Sequence, residues 1–166
     1  MIPDRFTRRA ALAALALAAL AGCAGSNPGG LPRRTFTIGG HDVELEIAAT
    51  DPERSRGFMF RESIPEDEGM LFLFSHEEER SFWMMNCLTD MSIAYLDASG
   101  KIVSLAEMKH PEPGTPEGVI TAKYSYPSNY PAQFAIEMRA GWFRDHGVKP
   151  GTVVEIPRDV RAMTQD

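Results

Sequence analysis

The chain predicts a mainly β domain, a compact sandwich or barrel-like fold with one or two short helices, set behind an export signal. Three observations carry this: strand-like stretches recur through residues 35–156, glycine- and proline-rich turns separate them, and only two segments carry helix signals.

Residues 35–38 and 42–48 alternate apolar and polar side chains, with Val43, Leu45 and Ile47 on one face, and Gly39-Gly40 between them suits a tight hairpin. Thr50 or Asp51 then caps a helix over residues 52–61, with Pro52 in its first turn and Glu53 placed for the helix dipole. Strand character returns at residues 70–74, 81–85, 93–96 and 101–106, all rich in aromatic or branched side chains, with a turn at Asp97-Ala98-Ser99-Gly100. Residues 109–118 hold Pro111, Pro113 and Pro116 and read as a loop. A strand at 134–138, a helical turn at 140–146 ended by Gly147 and a closing strand at 152–156 complete the domain.

Before the domain, Arg5, Arg8 and Arg9 precede an unbroken Ala/Leu run over residues 10–21, the arrangement of a secretory signal. As a helix that run spans about 18 Å of a hydrocarbon core about 30 Å thick, too little to stay as an anchor. Leu20-Ala21-Gly22-Cys23 resembles a bacterial lipobox, which makes residues 1–22 a lipoprotein signal peptide and Cys23 the lipidated first residue of the mature chain. More than one acyl chain then holds the protein stably on the membrane. Ala24, rather than Asp, after the cysteine points to the outer membrane, with the domain facing the periplasm. Thr7-Arg8-Arg9 also looks like part of a twin-arginine signal. Residues 23–33 read as a flexible tether, 34–158 as the domain and 159–166 as a tail.

The net charge is −6. Removing residues 1–22, with three Arg and one Asp, takes it to −8, so nucleic acid and anionic lipid are poor partners. With Cys23 acylated, Cys87 is the one thiol left, and no intramolecular disulfide is expected.

Three segments stand out together: Arg56-Gly57-Phe58-Met59-Phe60-Arg61, Gly69-Met70-Leu71-Phe72-Leu73-Phe74 and Ser81-Phe82-Trp83-Met84-Met85-Asn86. Their order and spacing resemble the DUF192 family, also called UPF0127, and the likeness takes in Leu96-Asp97-Ala98-Ser99-Gly100-Lys101 and Ala140-Gly141-Trp142. The resemblance implies a mainly β, sandwich-like domain, often exported, with no settled biochemical activity. After Phe82-Trp83-Met84 the chain departs from the usual pattern: Met85, Cys87, Asp90 and Ser92 stand where relatives commonly have Lys, Thr, Pro and Asp.

Arg56, Trp83 and Asn86 are the polar or amphipathic members of these segments. Structural duty is their simplest role, and they are also the first residues expected at any shared pocket, since pockets combine apolar walls with a few convergent polar groups. Tyr124, Tyr126 and Tyr130, with Ser125, Ser128 and Asn129 beside them, form a second candidate, a surface to stack on and hydrogen-bond an envelope glycan or peptide. An ordinary loop whose rings cover the core edge is the simpler alternative.

Sulfur is abundant: Met59, Met70, Met84, Met85, Met91 and Met108 accompany Cys87, with His76 and His110 nearby. Soft ligands select Cu(I), yet Met59, Met70 and Met84 lie in aromatic runs where a thioether simply fills space. No ligand spacing is evident, so no metal or cofactor is expected. Cys87 as a nucleophile lacks a histidine close in sequence, and the acids Glu62, Glu66, Asp67 and Glu68 lack the pattern of a calcium loop. The expected function is therefore a binding or accessory module on an envelope lipoprotein, with a Cu(I)-binding protein or a hydrolase-type enzyme as alternatives. The enzyme alternative requires Cys87, His76 or His110 to converge with an acid in a cleft.

Overall fold

The computed structural model describes residues 30–164. The export signal, Cys23 and most of the tether lie outside the described residues. The chain runs β1 (Arg33–Ile38), β2 (His41–Ala48), α1 (Asp51–Arg56), β3 (Glu68–Trp83), β4 (Met91–Leu96), β5 (Ile102–Met108), α2 (Glu117–Lys123), β6 (Ser125–Arg139), α3 (Trp142–Asp145) and α4 (Arg158–Arg161). Among the described residues no helix is long and apolar enough to cross a membrane.

The strands form one sheet in the order β1-β2-β3-β6-β4-β5. All neighbours are antiparallel except β2 and β3, because the crossover through α1 lets β3 run alongside β2 in the same direction. β1 and β5 remain edges, so the sheet is open and sandwich-like, and the barrel alternative does not hold. Four short helices appear among the described residues, against the one or two expected.

Several boundaries differ from the sequence reading, each for a physical reason. The expected strands at 70–74 and 81–85 are halves of β3, since the exposed polar residues between them still follow β6 through two register shifts. The first helix ends at Arg56, where Gly57 turns with φ of 43°. The proline-rich loop ends in a helix, α2, whose N-cap is Pro116. The closing strand is reduced to one bridge, Lys101 with Val153. There Gly100 has φ of 86°, and a Cβ on it would lie 2.2 Å from the Val154 carbonyl oxygen, so only glycine permits the approach. Residues 158–161, at the edge of the expected tail, form α4 with Val160 buried.

Alternation along the strands sends side chains to two faces. On the first, Leu45, Ile47, Leu71, Leu73, Ile136 and Met138 pack under Trp142, Phe143, Val154, Ile156 and Val160. On the second, Met70, Phe72, Ile93, Tyr95 and Ala135 lie under Phe58, Ile64, Met84, Cys87 and Met108. The far half of the β3–β6 ribbon also folds over this second face. Its Phe82 ring meets Phe72 edge-on at 4.8 Å and Tyr95 at 5.7 Å, and the Tyr95 hydroxyl donates to the Tyr126 carbonyl.

Candidate functional site

The register places Glu46 of β2, Met70 of β3, Glu137 of β6 and Ile93 of β4 side by side across the sheet. Both glutamates are buried on the second face, and they are treated differently. Glu46 accepts two hydrogen bonds from Arg61, at 2.8 and 2.6 Å, and one from Arg33 at 2.8 Å. Burial alone would raise its pKa, but the two guanidiniums outweigh that and hold it below the ordinary glutamate value. Glu137 has no hydrogen bond or ion pair among the described residues, and it is 3% exposed. Burial pushes its carboxyl up to about 8, so it is mostly protonated at neutral pH.

Glu137 opens onto a small cavity of about 30 Å³, room for a single water or ion, lined also by Phe58, Met59, Trp83, Met85 and Cys87. The two segments that bring these residues together are held in unusual backbone. Phe60 and Asn86 both have positive φ, 64° and 55°, and the Phe60 N–H donates to the Asn86 carbonyl at 2.9 Å. For an exposed phenylalanine that conformation is costly and is kept only where the surroundings enforce it. The Asn86 side-chain amide also reaches the Met59 sulfur at 3.8 Å.

Beside this cavity lies a larger cleft of about 540 Å³, lined by Gly30, Leu31, Arg33, Glu46, Arg56 and Arg61 among others. Arg56 and Gly57 line both hollows. Helix α1 presents Arg56 because a capping box holds its first turn: Thr50 accepts from the Glu53 N–H, and Glu53 accepts from the Thr50 N–H. Three neighbouring arginines are committed. Arg54 donates to the Ala49 and Leu73 carbonyls, each at 2.7 Å, Arg61 is tied to Glu46, and Arg33 to Glu44, Glu46 and Glu68. Arg56 is exposed and has no side-chain partner among the described residues. The expected trio thus gathers in part: Arg56 and Trp83 share the small cavity, and Asn86 braces its Met59 wall.

A third hollow of about 340 Å³ lies beyond Cys87, between Leu88, His110, Pro111 and Ile120. Here Asp90 pairs with the His110 ring nitrogen Nδ1 at 2.7 Å and also takes the His110 N–H and Lys109. Although burial opposes it, these partners hold the Asp90 carboxyl at about 2. Cys87 and His110 therefore line one hollow, and His110 is paired with Asp90, which is part of the convergence that an enzyme reading requires. The thiol is nevertheless unsuited to attack: it is 6% exposed, pushed up to about 12 by burial and by Glu137, and it donates to the Met85 carbonyl rather than to His110. His76 lies elsewhere, beside Ser75 and Glu78.

The tyrosines are spread out. Tyr124 and Tyr126 pack against the second core, and the Tyr126 oxygen accepts from the Lys109 N–H at 2.8 Å. Tyr130 is exposed, and no ring contact joins the three. Among the described residues no three His, Cys, Asp or Glu side chains are gathered as a metal site.

Sequence reasoning missed Glu137 and Glu46. The first had a signal, an acid inside the apolar run Phe134-Ala135-Ile136-Glu137-Met138. The second had none, because Glu46 alternates with Leu45 and Ile47 as a solvated residue would.

The DUF192 pattern, described as an uncharacterised ACR, matches residues 34–156. No match was found among curated proteins. Two crystal structures share the fold. A protein of unknown function from Novosphingobium aromaticivorans is 25% identical with a TM-score of 0.65, over 82% of this chain and 94% of its own. A protein from Sinorhizobium meliloti, described as a candidate transcription regulator, is 25% identical with a TM-score of 0.61, over 74% of this chain and 91% of its own.

Proposed function

We propose that this protein, which belongs to the DUF192 family, is an envelope lipoprotein whose domain binds a carboxylate-bearing fragment of an envelope peptide or glycan. The observation that carries the reading is Arg56, an exposed guanidinium without a side-chain partner among the described residues, set between Trp83 and a cleft of about 540 Å³ whose other arginines are neutralised. An arginine fork matches a carboxylate in two parallel hydrogen bonds, and an exposed indole offers a face for a sugar or peptide group. One uncommitted arginine in this cleft, among the described residues, suits a ligand with one anionic group. The Tyr124, Tyr126 and Tyr130 surface is a secondary contact in this reading, through Tyr130.

The lipid anchor on Cys23 supports the choice of ligand. Gly30 and Leu31 line the cleft, and seven extended residues from Cys23 reach at most about 25 Å. An anchored domain therefore carries this cleft close to the membrane, outer by the Ala24 signal, and among envelope polymers. Transcription regulation, the role named for the S. meliloti protein, is disfavoured here where it would need direct DNA contact, because a net charge of −6 repels a phosphate backbone.

The test is calorimetric titration of the protein with soluble peptidoglycan fragments, with the stem peptide alone and with the glycan alone. Arg56→Gln should weaken the binding arm by roughly tenfold or more, the loss of a charge-assisted hydrogen bond. Amidating the ligand carboxylate should do the same. Equal affinity of the variant and the parent would remove the reading. Cys23→Ser should end acyl labelling and release the protein from membranes; persistent labelling would overturn the anchor.

A further inference from the structure

Four of the six large apolar side chains that are exposed among the described residues, Phe60, Trp83, Leu88 and Val119, stand on neighbouring segments above the second face. The Phe60 N–H donates to the Asn86 carbonyl at 2.9 Å, which sets Phe60 against the segment that carries Trp83 and Leu88. Half-buried Met59 and Met85 line one cavity with Trp83, and Ile120, the neighbour of Val119, lines a hollow with Leu88. Residues 81–89 hold no charged side chain, in a chain whose net charge is −6. Exposed apolar side chains are ordinary one by one, but a gathered, uncharged group of them marks an interaction surface.

Phe60 is the sharpest sign. It is 63% exposed and held at φ of 64°, a conformation that asparagine tolerates and a bulky side chain does not readily take. The domain itself gains little from an aromatic ring placed there, and such a conformation kept at a surface marks a functional constraint.

We infer that Phe60, Trp83 and Leu88 dock the domain on the surface of the bilayer that holds its lipid anchor. This rests on the anchor at Cys23 and not on the Arg56 cleft. The length of chain before the described residues selects the partner. Cys23 stands seven residues before Gly30, at most about 25 Å of extended chain, while a domain of this length is roughly 35 Å across. The tether joins on the side of the patch: Leu31 packs against the second core and lines the large cleft with Arg56 and Gly57, and these two line the small cavity with Trp83. A short tether therefore keeps this side near the lipid surface, where a weak contact becomes intramolecular. Tryptophan suits the headgroup level, where its ring meets apolar and polar surroundings at once. The lack of acids in residues 81–89 spares this side repulsion from lipid phosphates.

The test uses the acylated protein inserted through its lipid into vesicles of phosphatidylethanolamine and phosphatidylglycerol with brominated or plain acyl chains. The chain has two tryptophans, and Trp142 is fully buried on the other face, so bromine quenching reports Trp83, with Trp83→Phe giving the Trp142 background. Brominated vesicles should dim the Trp83 emission about twofold or more, as for an indole at the headgroup level. Phe60→Asn combined with Leu88→Ser should restore it without loss of stability to urea, since both side chains are exposed and asparagine suits the Phe60 backbone. Equal Trp83 emission in both kinds of vesicle, from protein that carries acyl label and floats with them, overturns the docking and leaves the anchor standing. Unlabelled protein that does not float overturns the anchor, and the docking with it. Quenching that the double variant retains overturns the patch as the contact. Anchored dimers with Trp83 beyond the reach of bromine assign the patch to a second copy and overturn the membrane contact.

Discussion

The same six strands supply both faces of the sheet, and the two faces close in different ways. The first is sealed by Trp142, Phe143, Val154, Ile156 and Val160, and its buried blemish is a neutral one: the Trp142 Nε1 donor without a partner, on a ring stacked 4.3 Å from His146. The second is roofed by turns, by sulfur and by the folded-back β3–β6 ribbon, and it contains two carboxyls in one row. Glu46 lies at the side open to arginine and is neutralised; Glu137 sits two strands further in and is not. Apolar burial makes the first face a source of stability. The second gives up part of that to keep polar and sulfur groups at cavity walls, the compromise expected where a fold carries a site.

Substitutions can break this contrast, and the largest effect belongs to the sealed face. Trp142→Ala should cost about 3–5 kcal/mol by leaving a large cavity under the sheet, measured by urea unfolding. A loss below about 1 kcal/mol would mean that this face repacks freely and is no firmer than the other.

Next comes Glu137. Because its folded pKa is raised from 4.5 to about 8, the folded state keeps a proton that the unfolded chain releases. Stability is therefore full below about pH 4.5 and falls by about 1.4 kcal/mol per pH unit as the pH rises towards 8. Glu137→Gln should flatten that slope, so that the variant gains about 2 kcal/mol on the parent between pH 6 and pH 8, read from thermal melts across the range. Parallel pH profiles would show that Glu137 is not held protonated by burial.

Arg61→Ala tests the neutralised partner of the pair. It leaves Glu46 buried with Arg33 alone, and should cost about 2 kcal/mol at pH 7. Glu46 is depressed by its partners, so its contribution is present above the unfolded carboxyl value and lost as the pH falls; the variant should therefore lose less on acidification. The smallest effect is expected at Thr50→Ala, which removes half of the capping box that presents Arg56, at about 1 kcal/mol. Ligand binding should weaken with it if α1 frays, and a cap loss without any change in α1 exchange rates would detach helix order from the Arg56 site.

How far the sequence could be read follows from what local patterns encode. The Gly39-Gly40 hairpin, the capped start of α1, the alternation of Val43, Leu45 and Ile47 and the turn at Asp97–Gly100 are short-range properties, and they stand in the fold as expected. The family was legible for the same reason, since its motifs are contiguous. Arg56, Trp83 and Asn86 were legible as polar members of those motifs and as the first candidates for a shared pocket; Arg56 and Trp83 line the small cavity, and Asn86 stands beside it.

By itself the sequence determined where most of the strand segments lie, which residues alternate along them, and the expectation of a lipid anchor at Cys23, but not the full reach of β3 and β6 or the reduction of residues 152–156 to one bridge. Tertiary structure alone decided that β6 inserts between β3 and β4, that the β3–β6 ribbon folds over the second face, and that Met59, Met85 and Cys87 line one cavity with Glu137. The reason is that alternation says to which side of a strand a side chain points, whereas burial, pKa and ligand-forming company depend on what covers that side, and here the cover comes from segments distant in the chain.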